Sequence, residues 1–280
     1  MATEVPFRLT DGSQPLILLP SHVNGKGPYD FILDTGASMC LLSLELAETA
    51  GVVGTGTKEG TGAGGAITLS LGMVESLAIG TVEVPNIEVG ITDELAKLEA
   101  ILRAKVDGNL GYNFLNRFQF TLDYSRQVFS LSESEPLAER AEGLERARTR
   151  FRIAHPNKPL ILVSTFVNGQ GPFQFALDTG ASTTVVSTAL AQDLGLAMTE
   201  FGAMMGAGGQ VKASQAAVDT LAVGEARHEN LAVVVSDFLA MLSQVIGETI
   251  EGVIGYNYLR NYLVTIDYPN EMLTLDKPIP

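Results

Sequence analysis

The sequence predicts a mostly β protein of two similar domains with a few short helices, and two observations carry that prediction. The first is an internal repeat. Val23-Asn24-Gly25-Lys26-Gly27-Pro28-Tyr29-Asp30-Phe31-Ile32-Leu33, followed by Asp34-Thr35-Gly36-Ala37-Ser38, returns as Val167-Asn168-Gly169-Gln170-Gly171-Pro172-Phe173-Gln174-Phe175-Ala176-Leu177 and Asp178-Thr179-Gly180-Ala181-Ser182, an offset of 144 residues from Asp34 to Asp178. The segments 15–18, 62–65, 107–115 and 121–124 return at the same offset, as 159–162, 206–209, 251–259 and 265–268. Landmarks spread through both halves at one spacing mean one fold used twice. A period this long describes two domains, because solenoid repeats run at roughly 20–50 residues. The second observation is that each half is a series of short apolar segments punctuated by Gly, Asn and Pro, the pattern of strands and turns. The expected boundaries are a first domain over 1–131, a charged linker over 132–150 and a second domain over 151–280, each domain long enough for a modest core.

The elements follow in order. Residues 16–23 read as an apolar strand, Asn24-Gly25-Lys26-Gly27-Pro28 as a turn, and 29–33 as the return strand, which delivers Asp34 to a loop at its end. Residues 41–43 begin a short segment, and Leu44-Glu45-Leu46-Ala47-Glu48 supply one or two helical turns ending at Gly51. Residues 54–65 hold many glycines and few anchoring side chains, so a mobile segment is expected. Residues 67–71, 75–79 and 82–89 read as strands. Over 92–104, Leu95, Leu98 and Leu102 fall at helical spacing, with Asp93 and Glu94 in the first turn and Arg103 and Lys105 at the end, which suits the helix dipole. Residues 236–246 repeat this with Phe238, Leu239, Leu242, Val245 and Ile246. A short helix over 113–118 and a hairpin over 120–131 complete the first half. The linker is dense in Glu, Arg and Ala and reads as solvated, helical at most.

Composition excludes several chemistries. A net charge of −14 argues against nucleic acid, since phosphate binding needs a basic face. It serves solubility, with a weak pull on basic partners. A single cysteine, Cys40, excludes an intramolecular disulfide and a multi-cysteine zinc site. His22, His155 and His228 are too scattered for a metal centre, so no metal is expected. No segment approaches the ~20 apolar residues of a membrane helix, so no membrane span is expected. Residues 1–14 lack the pattern of a signal peptide. The cytoplasm is therefore the default compartment, and the periplasm or the exterior applies if a leader was removed. Gly60-Thr61-Gly62-Ala63-Gly64-Gly65 matches the dinucleotide-binding glycine spacing, but an alternating segment follows where a helix is needed, so a nucleotide site is rejected. Cys40 as a nucleophile is set aside, because Thr184 holds its place in the second half.

One Asp-Thr-Gly alone would read as a turn whose Asp caps backbone amides. Here two copies each follow an apolar strand and precede Ala-Ser. At equal distance comes an apolar-apolar-Gly triplet, partial in Asn109-Leu110-Gly111 and full in Val253-Ile254-Gly255. Two carboxyls in contact cannot both ionise, so they share one proton and serve as acid and base together. An ordinary turn copied by duplication is the plain alternative. It is weakened by segments such as 52–61 and 196–205, which have drifted apart while the loops have not.

At these residues the chain resembles the aspartic proteases, the retropepsin-like group more closely than the pepsins, over nearly its whole length outside the linker and the two longer helices. The resemblance implies two pseudo-twofold-related, retropepsin/pepsin-like β-barrel domains with a catalytic cleft between them. It implies Asp34 and Asp178 as catalytic residues, with Thr35, Gly36, Ser38, Thr179, Gly180 and Ser182 supporting their loops and the threonines hydrogen-bonding across to the opposite loop. Leu110-Gly111 and Ile254-Gly255 would pass beneath the loops. Gly62, Ala63, Gly64 and Gly65, with Gly206, Ala207, Gly208 and Gly209, would be flaps over the substrate. Retropepsins pair two subunits, and this chain carries both in tandem, which implies a monomer. The implied activity is endopeptidase hydrolysis of an extended polypeptide by a water activated between Asp34 and Asp178, with no cofactor besides that water. Simple loop packing for the threonines, and surface or capping roles for the serines, stay open at this point. Ala37 and Ala181 lack a hydroxyl that would hold an ionised carboxylate, so activity reaching mildly acidic or near-neutral pH is expected. The rival from another class is a non-catalytic peptide-binding module on the same fold, which has no use for two facing carboxyls.

Overall fold

Asn24 and Asn168, with φ of 49° and 51°, turn the first long hairpin of each half. Asparagine tolerates this left-handed conformation better than most residues. The structure, a computed structural model, describes residues 3–12, 15–132 and 144–278. Ile17–Val23 and Lys26–Leu33 form the first hairpin, Lys158–Val167 and Gln170–Leu177 its copy. In the first half the eight-stranded sheet runs Arg8–Leu9, Ile17–Val23, Lys26–Leu33, Gly108–Leu110, Cys40–Ser43, Val82–Thr92, Gly65–Ile79, Gly56–Gly62. The second half repeats that order with Arg152–His155, Lys158–Val167, Gln170–Leu177, Gly252–Ile254, Val185–Val186, Ala226–Val235, Gly209–Val223 and Thr199–Gly206. Each sheet closes on itself. Ser21, His22 and Val23 pair with Ile79, Ala78 and Leu77, and Thr165, Phe166 and Val167 pair with Val223, Ala222 and Leu221. The result is the two-barrel, mostly β architecture that the sequence predicts.

A third sheet of six strands joins the halves. Its centre is Gln119–Asp123 against Leu263–Asp267, with Thr121 opposite Thr265, the same position of the repeat. Their hydroxyls lie 2.8 Å apart, on the pseudo-twofold axis. Two ring pairs straddle the same axis. Tyr112 packs edge-on against Tyr268, and Tyr256 against Tyr124, with centroids 5.6 and 5.5 Å apart.

The segment expected as a solvated linker is partly a strand. Ser132 ends the strand Val128–Ser132, and Leu144–Arg150 pairs antiparallel with Met272–Pro278 at the edge of the joining sheet. Residues 133–143 of the expected linker lie outside the described residues. The strand is the second half's copy of Thr3–Pro6, which pairs with Val128–Ser132 at the opposite edge. It looks solvated in composition because an edge strand keeps a face in water, where charges also discourage edge-to-edge pairing. Among the residues 145–150, Ala147 is the one that is buried, while Arg146 forms a two-point ion pair at 2.8 Å with the buried carboxylate of Asp276.

The expected strands 67–71 and 75–79 are one strand, Gly65–Ile79, because pairing with Val82–Thr92 continues through Gly72 and Val74. Ser43 caps the helix Leu44–Ala50 by accepting from Leu46 N at 3.1 Å, and Gly51 ends it with φ of 72°. The helices expected over 92–104 and 236–246 begin later, at Glu94–Leu102 and Phe238–Ile246, since the preceding strands run to Thr92 and Val235. Leu95 and Leu102 bury against Leu16, Leu18 and Ile32, and Leu239, Leu242 and Ile246 join Leu160 and Leu162. Each helix therefore seals the outer side of its barrel beside the first hairpin. Among the described residues no helix is long and apolar enough to cross a membrane.

Candidate active site

Each Asp-Thr-Gly loop is anchored from below. Lys26–Leu33 runs parallel to Gly108–Leu110, which pairs on its other side with Cys40–Ser43, and Asp34 N donates to Leu110 O at 3.1 Å. In the second half Gln170–Leu177 pairs with Gly252–Ile254, and Asp178 N donates to Ile254 O at 3.0 Å. The apolar-apolar-Gly triplets thus supply the strand that fixes each aspartate's backbone.

The loops lock across the axis through the threonines. Thr35 Oγ1 donates to Leu177 O at 2.9 Å and accepts from Thr179 N at 3.0 Å. Thr179 Oγ1 donates to Leu33 O at 2.8 Å and accepts from Thr35 N at 3.1 Å. Both side chains are buried, so these bonds do not compete with water.

The carboxylates meet on that lock. Gly36 N donates to Asp34 Oδ1 and Gly180 N to Asp178 Oδ1, each at 2.8 Å. Each carboxyl also lies against the opposite glycine. A methyl group on Gly36 would stand 2.5 Å from Asp178 Oδ2, and one on Gly180 would stand 2.6 Å from Asp34 Cγ. Only a residue without Cβ leaves room for this approach. The two carboxyls thus face each other, and the charge of Asp34 and a hydrogen bond to it raise Asp178, the direction expected of a pair that shares one proton. Ser38 and Ser182, expected as loop supports, make no side-chain hydrogen bond among the described residues; the amides of Gly36 and Gly180 are the loop donors to the carboxylates.

The pair is not symmetric. Asn109 Nδ2 donates to Asp34 Oδ2 at 2.7 Å, whereas the equivalent Val253 has nothing to donate. Asp34 therefore accepts from two donors, Gly36 N and Asn109 Nδ2, where Asp178 accepts from Gly180 N alone. Asp178 is pushed up from the usual carboxylate range, first by burial and then by the charge of Asp34 and the hydrogen bond to it; the Gly180 amide and Lys158 pull the other way. The raised member of the pair, Asp178, is the one that favours the proton. Replacing Asn109 by Val, the residue of the other half, removes a donor to the pair and should raise the pair's affinity for a second proton. A hydrogen bond to a charged group is worth about 1.5–3 kcal/mol, or roughly one to two pH units. The acidic limb of the pH–rate profile should move up by about one unit, and an unmoved limb would contradict the assignment.

Above the pair, two hairpins meet tip to tip. Gly56–Gly62 ladders onto Gly65–Ile79, and Thr199–Gly206 onto Gly209–Val223. Gly64 N donates to Ala207 O at 2.8 Å, and methyl groups on Gly62, Gly64, Gly206 or Gly208 would overlap the facing tip. The stretch expected to be mobile for its glycines is thus a paired hairpin, whose glycines serve close approach of two backbones.

Three side chains at the site escaped the sequence reading. Asn109 was visible as the departure from an apolar triplet, and that departure was its only signal. Glu94, read as a first-turn acid, accepts from Gly208 N at 3.1 Å and is itself paired with Lys97 at 2.6 Å, so the first domain's helix holds the second domain's tip. Lys158 reaches Thr61 O at 2.8 Å. Nothing local in sequence marked either contact, since both bridge the halves. Cys40 is buried, and desolvation pushes its thiol up to about 12 despite the amides of Gly111 and Phe114; like Thr184, it packs beside the triplet glycine. It is no nucleophile at ordinary pH. Among the described residues no group of three His, Cys, Asp or Glu is placed to hold a metal.

The sequence model of a family described as aspartyl protease matches residues 19–114 and again residues 163–258, one match per half and together more than half of the chain. Among solved structures, the aspartic proteinase from Irpex lacteus is similar in fold, with 11% identity and a TM-score of 0.58, over 99% of this chain and 98% of that one. No curated protein matches the sequence.

Proposed function

This chain belongs to the aspartyl protease family, and from that premise we propose that it is an endopeptidase that cuts extended polypeptides with a water activated between Asp34 and Asp178. The observation that carries the proposal is the facing carboxyl pair, each carboxyl against the glycine of the opposite loop, with Asp178 pushed up by burial and by Asp34. Asp34, as carboxylate, takes a proton from the attacking water while Asp178 gives its proton to the carbonyl oxygen of the scissile bond. The tetrahedral diol then collapses. Its C–N bond breaks as a proton passes from the dyad to the leaving nitrogen, with no covalent enzyme intermediate. Both half-sites lie in one chain, which supports activity as a monomer. The paired hairpins above the dyad offer backbone to a strand-like ligand, which supports an extended polypeptide as substrate.

The test is a peptide mixture incubated with the protein at pH values from about 3 to 8 and read by mass spectrometry for new termini. Cleavage inhibited by a statine-type transition-state mimic is expected. The active form holds one proton on the pair, and the basic limb of the profile marks its loss. With Asp178 pushed up, and no hydroxyl at Ala37 or Ala181 to oppose it, that limb should lie at mildly acidic to near-neutral pH. A profile confined below about pH 4 would reject the electrostatic assignment, and no new termini at any pH would reject the protease reading.

A further inference from the structure

This inference rests on the protease reading and names a feature of its substrate. Lys158 opens the strand Lys158–Val167 of the second domain, yet its Nζ donates to the carbonyl of Thr61 in the first domain's flap, 2.8 Å away and one residue before the tip glycine Gly62. Its charge is felt by the dyad as well, because Asp34 and Asp178 both act on the ammonium against the cost of its burial. This ammonium is rooted in one domain, bonded to the flap hairpin of the other and near enough to the dyad for both aspartates to act on it. Its one hydrogen-bond partner there is a neutral oxygen, and an ammonium has three donors. Among the described residues no carboxylate lies within ion-pair distance of it. The equivalent position in the first half is Gln14, so the repeat supplies this cation only once.

We propose that Lys158 is a specificity-determining residue that receives the carboxylate of an Asp or Glu side chain of the bound polypeptide at one subsite of the cleft. A partly buried cation with spare donors favours an anion over a neutral group. The flexible lysine stem lets the ammonium turn from Thr61 O to a ligand without moving the strand. An acidic side chain entering without Lys158 would meet only the negative charge of the singly protonated dyad, and the ammonium offsets that repulsion.

The experiment compares matched peptides carrying Glu or Gln at each position around the cut, with wild type, Lys158→Met, Lys158→Arg and Lys158→Glu proteins. The wild type should favour Glu at one position by roughly tenfold in kcat/KM, the scale of a charge-assisted bond. Lys158→Arg should keep that preference, Lys158→Met should erase it, and Lys158→Glu should favour Lys at the same position. Absence of any acidic preference in the wild type, or a preference that survives Lys158→Met, overturns the proposal. A uniform loss on all peptides in Lys158→Met also overturns it and makes Lys158 a strut for the flap. Intact peptides in every tube would count against the protease reading alone. Fluorescence anisotropy with reduced-amide versions of the same peptides then decides Lys158, by whether Glu peptides bind wild type more tightly than Gln peptides and Lys158→Met equally.

Discussion

Asp34→Asn and Asp178→Asn should each lower peptide hydrolysis by at least about a thousandfold, the range that loss of a positioned acid or base produces. The two losses should be alike, because the proton-sharing pair works as one unit and neither carboxyl can be acid and base at once. Stability should separate them from ordinary site damage. Burial and the neighbouring Asp34 push Asp178 up, so the folded state keeps a proton that the unfolded chain releases above the free carboxyl range. Folding is therefore penalised increasingly as pH rises from about 4 through the raised value, and the penalty is absent below about pH 4. Asparagine never ionises and carries no such penalty. Asp178→Asn should thus be more stable than wild type at pH 7 by on the order of 2 kcal/mol, or about 5 °C in Tm, and equal to it at pH 3. Thermal unfolding at the two pH values measures this. A variant that is inactive but no more stable at pH 7 would show that folding does not hold a proton on Asp178.

Much of the fold was legible in the sequence, because duplication doubles every signal. The Asn-Gly turns, the apolar strands before Asp34 and Asp178 and the glycine-rich tips each appear twice at the same offset, and each repeated feature occupies the same place in its barrel. What the repeat could not reveal is which half a residue touches. Tyr112 and Tyr124 recur as Tyr256 and Tyr268, yet the packing crosses the axis, Tyr112 with Tyr268 and Tyr256 with Tyr124. The same limit hid Lys158 and Glu94, whose partners lie in the opposite domain's glycine-rich hairpin. Leu144–Arg150 was hidden for a different reason. Its place in the joining sheet is made by backbone pairing, which leaves no trace in a composition of Glu, Arg and Thr. At the dyad the sequence shows two equal aspartates, and Asn109 and Lys158, which act on them, stand where the other half has Val253 and Gln14.

The threonine lock should be the costliest polar feature of the site to remove. Thr35→Val preserves volume but deletes the hydroxyl that donates to Leu177 O and accepts from Thr179 N. The stranded carbonyl and amide belong to the other domain's loop, and both are buried with no water to replace the lost partner. A buried polar group left unmade costs about 1–3 kcal/mol, so the pair should cost about 2–5 kcal/mol in urea unfolding. Thr179→Val strands Thr35 N and Leu33 O and should cost the same by symmetry. The double variant should fall short of the sum, because loops freed by the first change can part and let water reach the remaining groups. Activity should fall further than stability alone explains, by about a hundredfold, since a shift near 1 Å between the reacting groups is enough for that loss. Thr→Ser at either position keeps the hydroxyl and should recover most of both. If the valine variants proved as stable and active as wild type, the crossed hydrogen bonds would be incidental, and packing of Leu33 and Leu177 would have to hold the two aspartates in register.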